Sequence, residues 1–139
     1  MYTMPSHSDT LPRLCLNLHD ELYLINLERT LYFMADDHYT HVFYTNGARF
    51  MLPFGLSRIE ERFIQLGNHV AHPFRRLGRK YIVNTLAIHS INITKQTLTL
   101  LASGDKEGKT QCLQISKPVL RDLLQTIPAD YRFDENNGE

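Results

Sequence analysis

Residues 91–101 read INITKQTLTLL. Ile91, Ile93, Leu98 and Leu100 alternate with Asn92, Thr94, Thr97 and Thr99 on either side of Lys95-Gln96. A period of two sets the apolar residues on one face of an antiparallel ribbon. Runs this short cannot bury themselves alone, so a chain built from them must assemble as small sheets. The pattern recurs along the chain. RLCLNL (13–18) and ELYLINL (21–27) flank His19-Asp20, which predicts a tight hairpin in which Leu14, Leu16 and Leu18 point inward. TLYFMA (30–35) is apolar and aromatic. YTHVFYT (39–45) and ARFMLPF (48–54) are joined by Asn46-Gly47, the strongest short hairpin signal. Pro53 ends the second run or puts it at an edge. YIVN (81–84), LAIHSINI (86–93) and TQCLQIS (110–116) complete the set, with 103–109 as a polar turn.

Two segments read as helices instead. In GLSRIEERFIQLG (55–67), Ser57 and Glu60 form an S-x-x-E capping box, and Leu56, Ile59, Phe63 and Leu66 share one face. Gly67 stands where a helix-ending glycine belongs, which predicts a helix over 57–66. The second helix is capped by Ser116, tolerates Pro118 in its first turn and ends before Pro128. Val119, Leu120, Leu123, Leu124 and Ile127 make its apolar stripe. The expected fold class is all-β, with about ten short strands in elongated antiparallel sheets and two short helices. At 139 residues the chain reads as one domain over 13–127. Residues 1–12 are expected to be a flexible start and 128–139 a flexible acidic tail.

Composition adds exclusions. The chain is 42% apolar and 22% charged, ordinary for a globular domain. No run approaches the ~18 apolar residues of a membrane helix, and the N-terminus lacks signal-peptide organisation. A soluble cytoplasmic protein is expected. Cys15 and Cys112 are too few and too distant for a disulfide framework or a zinc module; both read as small buried hydrophobes in strands.

The net charge of zero hides segregation. Residues 1–72 hold five Lys/Arg and eight Asp/Glu, residues 73–120 hold eight and two, and residues 121–139 hold two and five. The +6 section creates a local positive field that calls for an anionic partner. Its densest part is FRRLGRKYIVN (74–84), where Arg75, Arg76, Arg79 and Lys80 crowd against the start of a strand around Gly78. A basic edge strand that blunts edge pairing is the plain structural alternative.

Other chemistries find little support. No glycine-rich phosphate loop is present, and no serine sits in a nucleophile-elbow context. His38 and His41 have H-x-x-H spacing, but in a strand i and i+3 point to opposite faces. His69 and His72 fall in a loop. Solvated loop histidines are the expectation, with no metal, no cofactor and no catalytic residue. A metal-dependent enzyme using these histidines remains a separate class, tested by elemental analysis.

One resemblance covers nearly the whole chain. INLERTLYFMADDHYTHVFYTNG (25–47) resembles the LytTR pattern I-x-L-x-x-I-x-Y-I-E-A-x-x-N-Y-x-x-I-x-x-x-x-G. FRRLGRKYIVN with LAIHSI (74–91) resembles its hallmark F-x-R-I-H-R-S-Y-I-V-N-x-x-x-I-x-x-I, and LQISKPVLRDLL (113–124) its P-V-S-R segment and closing helix. The chain departs from the pattern at Met34 for Glu, Gly78 for His, Lys80 for Ser and Lys117 for Arg. The resemblance implies a double-stranded DNA-binding transcriptional regulator that inserts loops into successive major grooves. It places those loops at His38–His41, Gly78–Lys80 and Ser116–Lys117. Arg79 is implied as the base reader, with Lys80 and Lys117 as phosphate or guanine contacts. Thr40, with His38 or His41 beside it, is implied to touch a thymine methyl or a phosphate, and Arg76 to be partly structural. Asn84 is expected to bond backbone at a turn, and Tyr81, Ile82 and Val83 to lie in the core. Direct-repeat sites are implied, with a second copy of the chain on the same DNA. Fewer than about 20 residues precede the first strands, short of a receiver domain, so a stand-alone module is expected, controlled by abundance, a partner protein or a small ligand. The competing reading is a protein-interaction module that keeps the fold without binding DNA.

Overall fold

The computed structural model describes residues 13–67, 72–102 and 109–128. The hairpin β1 (Arg13–Leu18) and β2 (Glu21–Asn26) forms a two-stranded sheet, its turn made by His19 at φ +56°. Five strands form the central sheet: β3 (Thr30–Asp36), β4 (Tyr39–Tyr44), β5 (Arg49–Leu52), β6 (Phe74–Leu77) and β7 (Tyr81–Asn84). Their order is β5-β4-β3-β7-β6, all antiparallel. A third sheet holds β8 (Ile88–Asn92), β9 (Thr97–Leu101) and β10 (Thr110–Gln114) in the order β10-β9-β8. Helix α1 (Leu56–Leu66) follows β5, and α2 (Lys117–Gln125) follows β10. The expected all-β class with two helices is what the chain adopts. Among the described residues no helix is long and apolar enough to cross a membrane.

Period-two alternation splits the central sheet between two cores. Phe33, Val42, Phe74 and Ile82 face the β1–β2 hairpin and α1, joining Leu14, Leu16, Ile25, Leu56, Ile59 and Phe63. Tyr32, Leu77, Tyr81 and Val83 face the third sheet and α2, joining Leu98, Leu100, Leu113, Leu120 and Leu123. Leu31 breaks the parity by lying on the same side as Tyr32. The register explains it: Thr30 pairs with Tyr44 but Tyr32 with Phe43, so β3 holds one extra residue. Such a bulge sends two consecutive side chains to one face. Burial on this face pushes the Tyr32 phenol up to about 12.

Several expectations need correction. Ser57 caps nothing: α1 begins one residue earlier, after Gly55, with no side-chain cap bond. Leu56 is buried at 4% exposure, and its packing draws the helix start N-terminal to the capping box. Leu18, at the hairpin's end, is 36% exposed, beside the exposed His19-Asp20 turn. Both cysteines are free, but Cys112 is exposed on the outer side of β10 and only Cys15 is partly buried. In α2, Leu120 and Leu123 are the buried pair, while Leu124 is only half-buried. Residues 1–12, His69, residues 103–108 and the acidic tail beyond Pro128 lie outside the described residues. Ser116 stands at the N-cap of α2, but its side chain makes no cap bond. Other local readings hold. Gly47 takes φ +91° in the β4–β5 turn, and Gly67 closes α1 at φ +58°. Asn84 donates to the Thr30 carbonyl at 3.0 Å and accepts from the Leu86 amide at 3.0 Å.

Candidate nucleic-acid interface

The register brings three loops to one end of the central sheet. Asp36 pairs with Tyr39, which closes the β3–β4 turn at Asp37-His38. Met34 pairs with Tyr81, and Tyr81 with Leu77, so the Gly78–Lys80 turn leaves at that same end. The Ala35 amide donates to the Lys80 carbonyl at 2.7 Å and ties the two turns together. The first turn of α2 is the third part: a Cβ on Gly78 would stand 3.7 Å from Val119 Cγ2. Ser116 and Lys117, just ahead of Val119, are exposed. The Asn46-Gly47 turn and Asn84 lie at the opposite end.

The Gly78–Lys80 turn is held from behind. Gly78 takes φ +67°, a left-handed conformation in which a side chain costs about 1 kcal/mol or more. Glycine therefore suits this backbone where the family pattern has histidine. The Arg76 guanidinium donates from Nε to the Gly78 carbonyl at 2.8 Å and from Nη2 to the Arg79 carbonyl at 3.2 Å. Its Nη1 meets Glu60 Oε1 of α1 at 3.0 Å. Arg79 and Lys80 point outward from this clamped turn. No residue among those described bonds the Arg79 head. Lys80 Nζ lies 5.6 Å from the Tyr81 ring centroid, a cation–π contact at the surface.

Two sequence-predicted contacts are corrected by burial. Thr40 is 0% exposed, and its hydroxyl donates to the Phe54 carbonyl at 2.8 Å. It faces the α1 core with Val42 and fixes the exit of β5, so the structure withdraws it from any surface contact. His41 is not a solvated loop histidine. Its side chain is 14% exposed and its Nε2 lies 2.8 Å from Asp36 Oδ2. His38 is 90% exposed, 3.6 Å from Asp37 Oδ1. The β3–β4 turn therefore carries two carboxylates among its histidines. Arg76 also differs from a simple surface cation, its head being committed to internal acceptors. His72 packs its ring on Phe63 at 4.9 Å, and burial pushes its imidazole below the usual 6.5. It is a poor source of surface positive charge. Among the described residues no group of three or more His, Cys, Asp and Glu could hold a metal ion.

Two neighbours of the interface escaped sequence reasoning. The Ile115 amide donates to the Gln96 carbonyl at 2.9 Å, which puts exposed Lys95 beside the entry to α2; its turn reads in sequence as an ordinary hairpin. Glu60 reads there as half of a capping box, and its real partner lies 16 residues away.

Comparison with known proteins agrees with this fold. The profile of the LytTr DNA-binding domain matches residues 20–127. A solved LytTr DNA-binding domain, from a protein described as a methyl-accepting/DNA response regulator of Bacillus cereus, superposes with a TM-score of 0.53 at 20% identity. The match covers 82% of this chain and 94% of that one, and shows a shared fold. No curated protein sequence matches the chain.

Proposed function

The chain belongs to the LytTR family of DNA-binding domains, and from that premise we propose that it reads a specific sequence in double-stranded DNA and regulates transcription. The observation that carries the proposal is the clamped Gly78–Lys80 turn with exposed Arg79 at its tip. Arg79 is the base reader: its fork can donate two bonds to guanine O6 and N7 in the major groove. Lys80, Lys117 and Lys95 act as point charges on phosphates. Ser116 contributes its hydroxyl, which makes no cap bond, beside the open amides of α2's first turn, a favourable place for a phosphate oxygen. His38 adds a donor at the tip of the β3–β4 turn. Asp36 and Asp37 keep that turn away from close phosphate approach and suit it to a base edge with an amino donor, such as cytosine N4.

The strip of loops is one-sided, so a second copy on a direct repeat would present the same strip to the same side of the duplex. Selection of bound fragments from a random duplex library, followed by anisotropy titration over salt, tests the whole reading. A reader with about four phosphate contacts gives a log–log salt slope near −3.6. Failure to retain any duplex would identify an interaction module on the same fold instead.

A further inference from the structure

Glu60 has no place in the contact set, yet it stands directly behind the reading turn. We infer that Glu60 is a positioning residue for DNA readout, acting through Arg76 on the Gly78–Lys80 turn; the inference rests on the DNA-binding reading above. The path is continuous. Glu60 Oε1 on α1 holds Arg76 Nη1 at 3.0 Å, and Arg76 holds the Gly78 and Arg79 carbonyls at 2.8 and 3.2 Å. Among the described residues strand β6 has only β7 as a partner, so the sheet alone restrains this turn from one side. Two carbonyls that would otherwise point to water are bound by one planar fork, which fixes the peptides on both sides of Arg79.

The carboxylate does more than complete an ion pair. A duplex brings a line of phosphates to this end of the molecule, and each is a competing acceptor for a nearby guanidinium. Arg76 lies two to three residues from the turn's tip, and its side chain is only 22% exposed while paired with Glu60. Glu60 holds that head on the protein side. Without it, Arg76 can leave the carbonyls for a phosphate. Binding to any duplex would then strengthen, while the backbone that aims Arg79 would loosen. Glu60 thus trades indiscriminate affinity for selectivity.

The test uses the full chain, its selected duplex and a scrambled duplex, well below the melting temperature of every variant. Glu60→Gln should lower the ratio of specific to non-specific affinity about tenfold. It should also steepen the non-specific salt slope by about 0.9, the signature of one added phosphate contact. Arg76→Lys keeps the charge but cannot fork across two carbonyls, and should lower the ratio similarly. In an Arg79→Ala background, Glu60→Gln should lower the ratio no further. A purely stabilising ion pair would move melting temperature without changing the salt slope. An unchanged ratio and slope in Glu60→Gln would overturn the inference, as would an equal loss of ratio with and without Arg79. If the wild-type chain selects no duplex at all, the DNA-binding reading itself fails.

Discussion

Thr40→Val separates a buried structural hydroxyl from a DNA contact. The substitution keeps the shape of the side chain and removes one O–H. In the wild type that group donates to the Phe54 carbonyl at 2.8 Å, with Thr40 at 0% and Phe54 at 6% exposure. The variant leaves a buried carbonyl without its donor and water without access to it. Such a loss costs about 1–3 kcal/mol. With a urea m-value of about 1.5 kcal/mol/M, the unfolding midpoint should fall by about 1 M. The bond joins β4 to the segment entering α1, so the loss falls on global unfolding rather than on a frayed end. DNA affinity, measured by anisotropy in buffer where both proteins are folded, should stay within about twofold, a change of about 0.4 kcal/mol. An unchanged midpoint combined with a tenfold loss of affinity would refute the argument and return Thr40 to the interface.

Three further outcomes follow from the packing. Leu120→Ala should destabilise by about 2–5 kcal/mol, since the side chain is 0% exposed between α2 and the third sheet. Leu124→Ala should cost clearly less, and equal melting temperatures for the two variants would contradict the assigned helix face. His72 gives a pH dependence of known sign. Its folded imidazole binds a proton less readily than the unfolded one, and its Nδ1 accepts the Phe74 amide at 3.3 Å. The unfolded chain therefore binds more protons below about pH 6.5, and stability falls as pH drops through that window. His72→Phe should flatten the decline between about pH 7 and pH 5, read from urea midpoints. A slope equal to wild type would show that His72 contributes nothing to it.

Periodicity made the strands legible because each short sheet buries one face, and alternation records that directly. Asn46-Gly47, Gly67 and Asn84 were readable because their conformations are local and restrict the residue type. The capping box misled because Ser57 and Glu60 have the right spacing while Leu56 has the stronger demand, burial at the helix start. Leu31 could not be read because a bulge is a property of a strand pair. The same distinction governs the interface. Arg79, Lys80 and Lys117 stand out in sequence as clustered or family-matched cations. Thr40 does not reveal its burial, because its acceptor is a backbone carbonyl 14 residues away. Glu60 and Arg76 meet only when α1 packs on the edge of the central sheet, so neither residue announces the clamp. Lys95 acquires meaning only through the Gln96–Ile115 bond between two loops.

The claim on which the account depends is that Arg79 reads bases from a rigid turn. The direct measurement is the affinity ratio between the selected duplex and a scrambled one, for wild type and Arg79→Ala at one salt concentration. Loss of a two-pronged guanine contact should remove about 1–3 kcal/mol of discrimination, with melting temperature unchanged and scrambled-duplex affinity reduced only slightly. Full retention of the ratio in Arg79→Ala would contradict the account.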